Sequence, residues 1–489
     1  MDLIARLGGE NAVIEGIVEE FCGLCLVPHG SGNEAAESAY LAERLRRMGL
    51  SPAADGLHNL YADVPAAPGR ENAPLVILQG HMDMVCAVRP GSGYDPVGSP
   101  VRIEAADGFL RSDGRSSLGA DNNLGNAAVL WLLGRGVEHG PLRLLFTVQE
   151  EVGLRGAAAL DPAWLRGADY LINTDGFHLG RAVVSSAGGR RETFSRPLET
   201  AAPALPAPFR VELSLFTGGH SGDDIHRGRG NPIKLLTAFL TELDFAYELA
   251  GLTGGQAHNA IPAQCAAELA VAREDVPALA SAVERLAAEI RARHGETDPY
   301  ARVELVPAPM PSVVWSENCR GSTLELLAGL CCGVLGWHAD FPDTVCASAN
   351  LGRVWARDGE IRAAEFLRCT DPAAERAMAA AHAALAGRTG FAVAASGYPG
   401  WVGDAANPLA RLMDGVYRRE TGRGMEITAV HVGLEPSCFQ AKAPGLVMVS
   451  TGPDILDAHA VTERAPLASL PPYAALLAGT LEELSRTAR

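Results

Sequence analysis

The stretch VILQGHMDMV (residues 76–85) decides the fold prediction, because an apolar run ends in two ionisable side chains, His81 and Asp83. A short apolar run bounded by polar residues is typical of a strand buried in a parallel sheet. His81 and Asp83 are two residues apart, so they lie on one face of an extended chain. We expect the carboxyl end of this strand to present both side chains to a functional site.

The segments around this strand alternate between strand and helix patterns. Strand patterns at 60–64, 142–148 and 168–175 flank a helical apolar spacing over about 122–133. This alternation predicts an α/β catalytic domain with a mainly parallel central sheet. The Pro/Ala-rich passage RPLETAAPALPAP (196–208) indicates that a second, α+β domain is inserted near this point. The predicted domains are a catalytic domain at 1–188 and 393–489, interrupted by a lid or dimerisation domain at 189–392.

Length and composition exclude several classes of protein. A chain of 489 residues with 47% hydrophobic content suits two domains. A net charge of −17 disfavours nucleic acid or an anionic membrane as a partner. The start of the chain lacks the features of a signal peptide, and no run of 18 apolar residues occurs, so we expect a soluble cytoplasmic protein. The ten cysteines are expected to pack in the core as thiols.

Five short stretches place acids or imidazoles after apolar strands or in Gly-bounded loops: GHMD (80–83), GADN (119–122), TVQEE (147–151), INTD (172–175) and DAH (457–459). Each alone is a weak signal, because a single strand-end His or a pair of adjacent acids usually has a structural role. Carboxylates gathered at the rim of an apolar sheet cost several kcal/mol unless a cation neutralises them. Two histidines and three carboxylates suit a pair of zinc, cobalt or manganese ions.

The order of these motifs resembles the M20 family of metallopeptidases, and within it the aminoacyl-histidine dipeptidase (Xaa-His dipeptidase) branch. The similarity runs over nearly the whole chain. It is carried by GHMDMV (80–85), LGADNNLGNA (118–127), TVQEEVGLRGA (147–157), GGHSGDDIHRGRGNPIKLL (218–236) and GPDILDAHAVTERAPL (452–467).

The resemblance implies a role for each acid and imidazole. Asp83 would orient the ligand His81, and Glu150 would be the general base that acts on a metal-activated water. Zinc is the expected metal, with cobalt or manganese possible. The implied ligands of two divalent ions are His81, Asp121 as the bridge, Glu151, Asp175 and His459.

The resemblance also implies how a small peptide substrate is held. His220 would stabilise the oxyanion, either in its own site or in that of the partner in a homodimer, and Asn259, Arg368 and Glu435 would contact the substrate. Two structural alternatives stay open: His220 bonded within its own loop by Ser221 or Asp224, and Arg368 in a surface ion pair.

Functions other than a dipeptidase predict different features of the sequence. An aminoacylase or a carboxypeptidase would use the same metals and differ only in the pocket. A non-catalytic scaffold predicts a lost ligand or base, yet all of them are present. A serine hydrolase is not indicated, because the sequence has no G-x-S-x-G nucleophile elbow. The chain has Asn123 where relatives tend to have Gly, and this change removes no ligand, because Asn can still adopt a left-handed turn.

Overall fold

The computed structural model describes residues 3–487. The chain forms two compact units. The first unit contains the residues up to Ser186 and those from Trp401 onward, and the inserted unit is Ala187–Gly400. The predicted boundaries at 188/189 and 392/393 therefore shift to 186/187 and 400/401. The second shift has a physical reason: Ala392–Tyr398 pairs with Gly188–Pro197, so this strand stays in the inserted unit.

The first unit is built on an eight-stranded sheet. Strand Val76–His81 lies near its centre and is buried along its whole length. The strand order across the sheet is Ala53–Ala54, Leu60–Val64, Leu142–Thr147, Val76–His81, Tyr170–Asn173, Val447–Ser450, Arg181–Ser186 and Glu426–Val430.

The prediction of a mainly parallel sheet needs a correction, because the sheet is mixed. The four central strands, from Leu142–Thr147 to Val447–Ser450, run parallel to one another. Leu60–Val64 and Arg181–Ser186 join them in antiparallel pairing. The parallel centre matters for the site, since it places the carboxyl ends of neighbouring strands at one edge of the sheet.

Helices surround this sheet. Helix Ala120–Leu133 begins within the GADN motif, and its residues 120–132 are all buried, the polar ones near its start as well as the apolar ones that follow. A separate three-stranded sheet contains Ile103–Ala106, Phe109–Ser112 and Arg464–Pro466. The α-helices of the first unit are Leu3–Arg6, Glu10–Cys25, Ala35–Arg47, Ala120–Leu133, Arg155–Ala159, Pro408–Thr421, Pro436–Lys442 and Leu470–Ser485.

The inserted unit has a nine-stranded antiparallel sheet and its own apolar core, which includes Phe194, Leu213, Leu269 and Leu351. Eight strands follow the order Arg302–Pro307, Ala207–Ser214, Cys265–Val271, Tyr247–Gly254, Val345–Arg357, Glu360–Cys369, Gly188–Pro197 and Ala392–Tyr398. The ninth strand, Gly333–Trp337, pairs with Val345–Arg357. Two short strand pairs stand outside this sheet: Thr200–Ala201 with Val314–Trp315, and Gly219–His220 with Ala260–Ile261. The α-helices are Pro232–Glu242, Val276–His294, Glu317–Gly329 and Pro372–Thr389.

The ten cysteines are all free, and five of them are buried while the other five are half-buried. Among residues 3–487, no helix is both long enough and apolar enough to cross a membrane.

Candidate metal centre

His81 is the last residue of the buried strand Val76–His81. Its Nδ1 lies 2.8 Å from the backbone oxygen of Asp83, which accepts the ring proton there. This hydrogen bond fixes the tautomer and leaves Nε2 with its lone pair. Nε2 lies 3.0 Å from Oδ1 of Asp121 and 4.0 Å from Oδ2 of Asp175. The imidazole is therefore oriented towards two carboxylates.

Asp83 contacts His81 through its carboxylate and its backbone. Oδ1 lies 3.6 Å from Nδ1 of His81, and the backbone oxygen is closer to the same atom, at 2.8 Å. These contacts are consistent with the prediction that Asp83 orients His81, and the carboxylate has further partners. Oδ1 accepts a hydrogen bond from the amide of Glu150 at 2.9 Å, and Oδ2 accepts from the amide of Glu151 at 3.2 Å. The hydroxyl of Ser31 donates to Oδ2 at 2.8 Å. Asp83 thus fixes the backbone of the paired acids.

Asp121 stands between two groups of potential ligands. Its Oδ1 faces His81, and its Oδ2 lies 2.9 Å from Nε2 of His459. Nε2 of His459 is also 2.9 Å from Oε1 of Glu151. Two triads share Asp121, each with ligand atoms within 4.8 Å of one another: His81, Asp121 and Asp175 in one, and Asp121, Glu151 and His459 in the other. A third group at the same spacing joins His81 to Glu150 and Glu151. The structure thus brings the five predicted ligands together in one site, with Glu150 beside them.

The parallel centre of the sheet explains this convergence. His81 and Asp175 lie at or just after the ends of the neighbouring strands Val76–His81 and Tyr170–Asn173. Glu150 and Glu151 follow Leu142–Thr147, where Gln149 has a left-handed backbone (φ 53°) that turns the chain. His459 also has a positive φ, 64°. Non-glycine residues rarely adopt this conformation, and where they do it often marks a functional site.

The electrostatics of the triads call for positive charge. Burial raises the pKa of Asp175 well above its usual range, and the carboxylate of Asp121 raises it further. Burial and the carboxylates of Asp175 and Glu151 do the same to the pKa of Glu150. Burial disfavours the charged form of His459, but the carboxylates of Asp121 and Glu151 outweigh this and raise its pKa to about 10. Oε1 of Glu151 is buried and pairs with the ring of His459, which the carboxylates hold in its charged form. This donor set fits two divalent cations that share Asp121.

Glu463 is a functional residue that the sequence reasoning missed. Its buried carboxylate accepts hydrogen bonds from three successive amides, those of Leu118, Gly119 and Ala120, at 2.9, 3.2 and 2.9 Å. These amides immediately precede Asp121, so Glu463 positions the shared ligand. The signal in the sequence was its place four residues after His459 in the motif DAHAVTE.

Glu435, predicted to contact the substrate, is fully buried. One carboxylate oxygen accepts hydrogen bonds from Nε2 of Gln79 at 2.5 Å and from the hydroxyl of Thr147 at 2.7 Å. The other oxygen, Oε1, has no hydrogen-bond partner. Burial raises the pKa of Glu435 to about 7. This burial favours a role in supporting the metal centre over direct contact with a substrate.

The other predicted substrate residues lie in the inserted unit, where two of them meet. Nη2 of Arg368 lies 3.3 Å from Nε2 of His220, and Nε of Arg368 lies 3.4 Å from the hydroxyl of Ser221. Nδ1 of His220 lies 3.0 Å from Oδ2 of Asp223. The carboxylate of Asp224 accepts a hydrogen bond from the backbone amide of His220 at 2.9 Å. Arg368 is only 4% exposed, so the alternative of a surface ion pair is wrong. Asn259 is exposed, and its backbone oxygen accepts a hydrogen bond from the amide of Ser221 at 2.9 Å.

Known proteins resemble this chain over nearly its full length. The profile of Peptidase family M20/M25/M40 matches residues 77–483. The chain is 32% identical over 471 residues to the cytosol non-specific dipeptidase of Escherichia coli (strain K12), and the match covers 95% of this chain and 96% of that protein. The crystal structure of aminoacylhistidine dipeptidase from Vibrio alginolyticus superposes with a TM-score of 0.88 at 27% identity, and the match covers 96% of each chain. Human carnosine dipeptidase 1, at 14% identity and a TM-score of 0.54, shares the fold. The chain belongs to peptidase family M20/M25/M40.

Proposed function

We propose that this chain is a metal-dependent dipeptidase that hydrolyses the peptide bond of dipeptides, including those that end in histidine. The observation that carries the proposal is the pair of triads that share Asp121, with one carboxylate oxygen turned to each imidazole. Family membership makes the chain a peptide-bond hydrolase. The names of the two relatives support dipeptides as the substrate class, one as a non-specific dipeptidase and the other as an aminoacylhistidine dipeptidase.

Two divalent cations are the proposed cofactors, held by His81, Asp121 and Asp175 on one side and by Asp121, Glu151 and His459 on the other. We propose zinc, with cobalt or manganese as alternatives, because imidazole and carboxylate ligands suit all three. When bound, such ions lower the pKa of water to about 7 and polarise a carbonyl oxygen. They also neutralise the carboxylates that raise one another's pKa.

Glu150 is the proposed general base. Its amide donates to the carboxylate of Asp83, and its carboxylate lies beside the ligands His81 and Glu151. A general base must lie within hydrogen-bond reach of the proton that it takes, and this position meets that requirement for a water held by the ions. Glu150 would take a proton from the attacking water and return it to the departing amine nitrogen. Glu151, the next residue, would serve as a metal ligand, so one acid transfers protons and the other binds a cation.

The inserted unit is proposed to act as a lid and in dimerisation, with His220 as the oxyanion donor. Arg368 beside it is proposed to hold the substrate carboxylate together with Asn259. The support is local: the guanidinium of Arg368 contacts the imidazole of His220 and lies 4.7 Å from the ring centroid of Phe366.

Replacing His220 by Ala is expected to lower kcat by about 10²- to 10³-fold and to leave the bound cations unchanged. An unchanged kcat would remove His220 from the mechanism.

We also propose a cytoplasmic location, which the name of the E. coli relative supports.

A hydrolysis screen tests the substrate class. Metal-loaded protein would be incubated with dipeptides, tripeptides and N-acyl amino acids, and the released amino acids would be quantified. We expect cleavage of dipeptides, with Xaa-His peptides among them, and little cleavage of the other two classes. Cleavage of N-acyl amino acids alone would indicate an aminoacylase. Removal of the C-terminal residue from longer peptides would indicate a carboxypeptidase, and no cleavage in any class would favour a scaffold.

A further inference from the structure

A second group of buried ionisable residues lies wholly within the inserted unit. Strands Gly188–Pro197 and Glu360–Cys369 pair in a register that sets Glu192 directly opposite Glu365. His382, on helix Pro372–Thr389, meets both acids, and all three side chains are at most 2% exposed. Like charges directly opposite each other on neighbouring strands are destabilising, and burial adds to that cost. This arrangement needs a compensating partner.

The hydrogen bonds of the cluster are unequally shared between the two acids. Glu192 is satisfied, because its Oε2 lies 2.9 Å from Nδ1 of His382 and its Oε1 accepts from Nε of Arg190 at 2.7 Å. Neither oxygen of Glu365 has a hydrogen-bond partner within residues 3–487. Its closest approach to His382 is 3.5 Å, from Oε2 to Nδ1. The ammonium of Lys234, the other charge that acts on Glu365, donates to three backbone oxygens instead.

A proton on Glu365 would remove its charge, but it would leave the second oxygen of the carboxyl group without a donor. A divalent cation would satisfy both oxygens of Glu365 and offset the charge of Glu192. The ligand atoms of the three residues lie within 4.8 Å of one another, and the distances of 2.9 and 3.5 Å from Nδ1 bracket the separation of about 3.3 Å between ligands of a tetrahedral zinc ion.

We propose that Glu192, Glu365 and His382 form a divalent-cation site in the inserted unit, suited to a transition ion such as Zn²⁺ or Mn²⁺. Imidazole with carboxylates is the ligand set that such ions prefer. Ligation through Nδ1 places the ring proton of His382 on Nε2. It gives up the 3.4 Å contact from the amide of half-buried Cys331, which is at the long end for a hydrogen bond. The role of this site is structural, since it links two strands and a helix.

Metal counting on the full-length chain tests this site independently of the catalytic centre. Asp121→Ala would remove the shared ligand of the catalytic centre and serve as the background. Protein stripped with a chelator would be equilibrated with ZnCl₂, desalted, and analysed for zinc per chain by mass spectrometry. We expect one zinc per chain in the background, and none after adding Glu365→Gln or His382→Gln. Glu375→Gln is the matched control: it lies on the same helix, 3.7 Å from Arg190, and should keep the ion.

Anomalous diffraction from zinc-loaded crystals of the unmutated chain gives a second readout, which does not depend on how well a variant folds. We expect an anomalous peak between the carboxylates of Glu192 and Glu365 and the ring of His382. Absence of this peak, together with no zinc retained in the Asp121→Ala chain, overturns the proposal. Undiminished zinc in the Glu365→Gln chain also overturns it. A Glu365→Gln chain that is as stable as its parent with and without zinc would assign a proton to Glu365 instead.

Discussion

At the residue scale, Asp83 explains how two adjacent acids can have different functions. One carboxylate oxygen accepts a hydrogen bond from the amide of Glu150, and the other accepts one from the amide of Glu151. The backbone of this pair is therefore held in place by Asp83. The turn at Gln149 removes the pair from the strand, where neighbouring side chains would point to opposite faces. Glu151 then reaches His459, while Glu150 groups with His81 and Glu151 and lies outside the two triads that share Asp121.

Replacing Glu150 by Gln should therefore separate catalysis from metal binding. We expect kcat to fall by about 10²- to 10⁴-fold, the usual contribution of a general base, because an amide cannot accept the proton. The number of bound cations should stay unchanged. Glu151→Gln is the comparison, and it should lose at least one cation. Activity assays and elemental analysis of both variants measure the two effects. Equal loss of cations from the two variants would show that the roles of the acids are exchanged.

The ligand residues could be predicted from the sequence because each follows an apolar strand or opens a Gly-bounded loop. The roles of the supporting acids could not be predicted. Glu463 stands in the motif DAHAVTE, but the three backbone amides that donate to it lie more than 300 residues away, and a local motif does not reveal that contact. Glu435 was predicted from resemblance alone, and its burial against Gln79 and Thr147 appears only in three dimensions.

At the element scale, the start of helix Ala120–Leu133 is held from outside the helix. Gly119 has a φ of 75°, and a β-carbon there would lie 2.8 Å from Sδ of Met84 and 3.1 Å from Nε2 of His29. The amides on either side of Gly119, with its own, all donate to Glu463. The loop that carries His459 is thus tied to the turn that carries Asp121.

Loss of this tie should weaken the metal centre without removing a ligand. We expect Glu463→Ala to lower the affinity for divalent cations by about 10- to 100-fold, as is typical for residues that orient metal ligands. At saturating cation, kcat should recover in large part. Asp457→Asn is the matched control, since Asp457 is exposed in the same loop and pairs with Arg464. Titration calorimetry with Zn²⁺ measures the difference. The same affinity in both variants would assign Glu463 a purely structural role.

Two elements match their sequence patterns closely. The helix expected at about 122–133 is Ala120–Leu133, and the strand expected at 142–148 is Leu142–Thr147. The left-handed turn that Asn123 could adopt is not used, because Asn123 lies inside helix Ala120–Leu133 and its side-chain amide donates to Glu37. The left-handed residue is Gly119, four positions earlier. A tertiary contact with a buried acid decided this position, and no local pattern encodes it.

At the scale of the whole molecule, the crowded carboxyl groups make stability depend on pH and on cations together. Burial raises the pKa of Glu435 and of Glu463 to about 7, from an ordinary value of 4.5. Between these pH values the folded, cation-free protein binds more protons than the unfolded chain. The free energy of unfolding therefore falls as pH rises through this window. His459, with a pKa of about 10, acts in the same direction from about pH 6.5 upward.

Chelated protein should accordingly lose thermal stability between about pH 5 and pH 7.5. Raising a carboxyl pKa from 4.5 to about 7 lowers the free energy of unfolding at high pH by roughly 3 kcal/mol for each of Glu435 and Glu463. Bound divalent cations should flatten this dependence, because they replace the protons as the source of positive charge. Tm recorded against pH, with chelator and with Zn²⁺, measures both slopes. Parallel slopes in the two conditions would contradict this account.

The division of the chain into a split unit and an insertion could be anticipated from changes of pattern along the sequence. The Pro/Ala-rich passage at 196–208 lies about ten residues inside the inserted unit, because strand Gly188–Pro197 already belongs to the antiparallel sheet. A strand signal does not reveal which sheet the strand will join. That choice depends on long-range pairing with Glu360–Cys369 and Ala392–Tyr398.

The central claim is that Asp121 is shared between two cations, and anomalous diffraction from crystals grown with zinc tests it most directly. We expect two peaks about 3.5 to 4 Å apart, one on each side of the Asp121 carboxylate. One peak should contact His81 and Asp175, and the other Glu151 and His459. A single peak, or none, within this group of five residues would contradict the account.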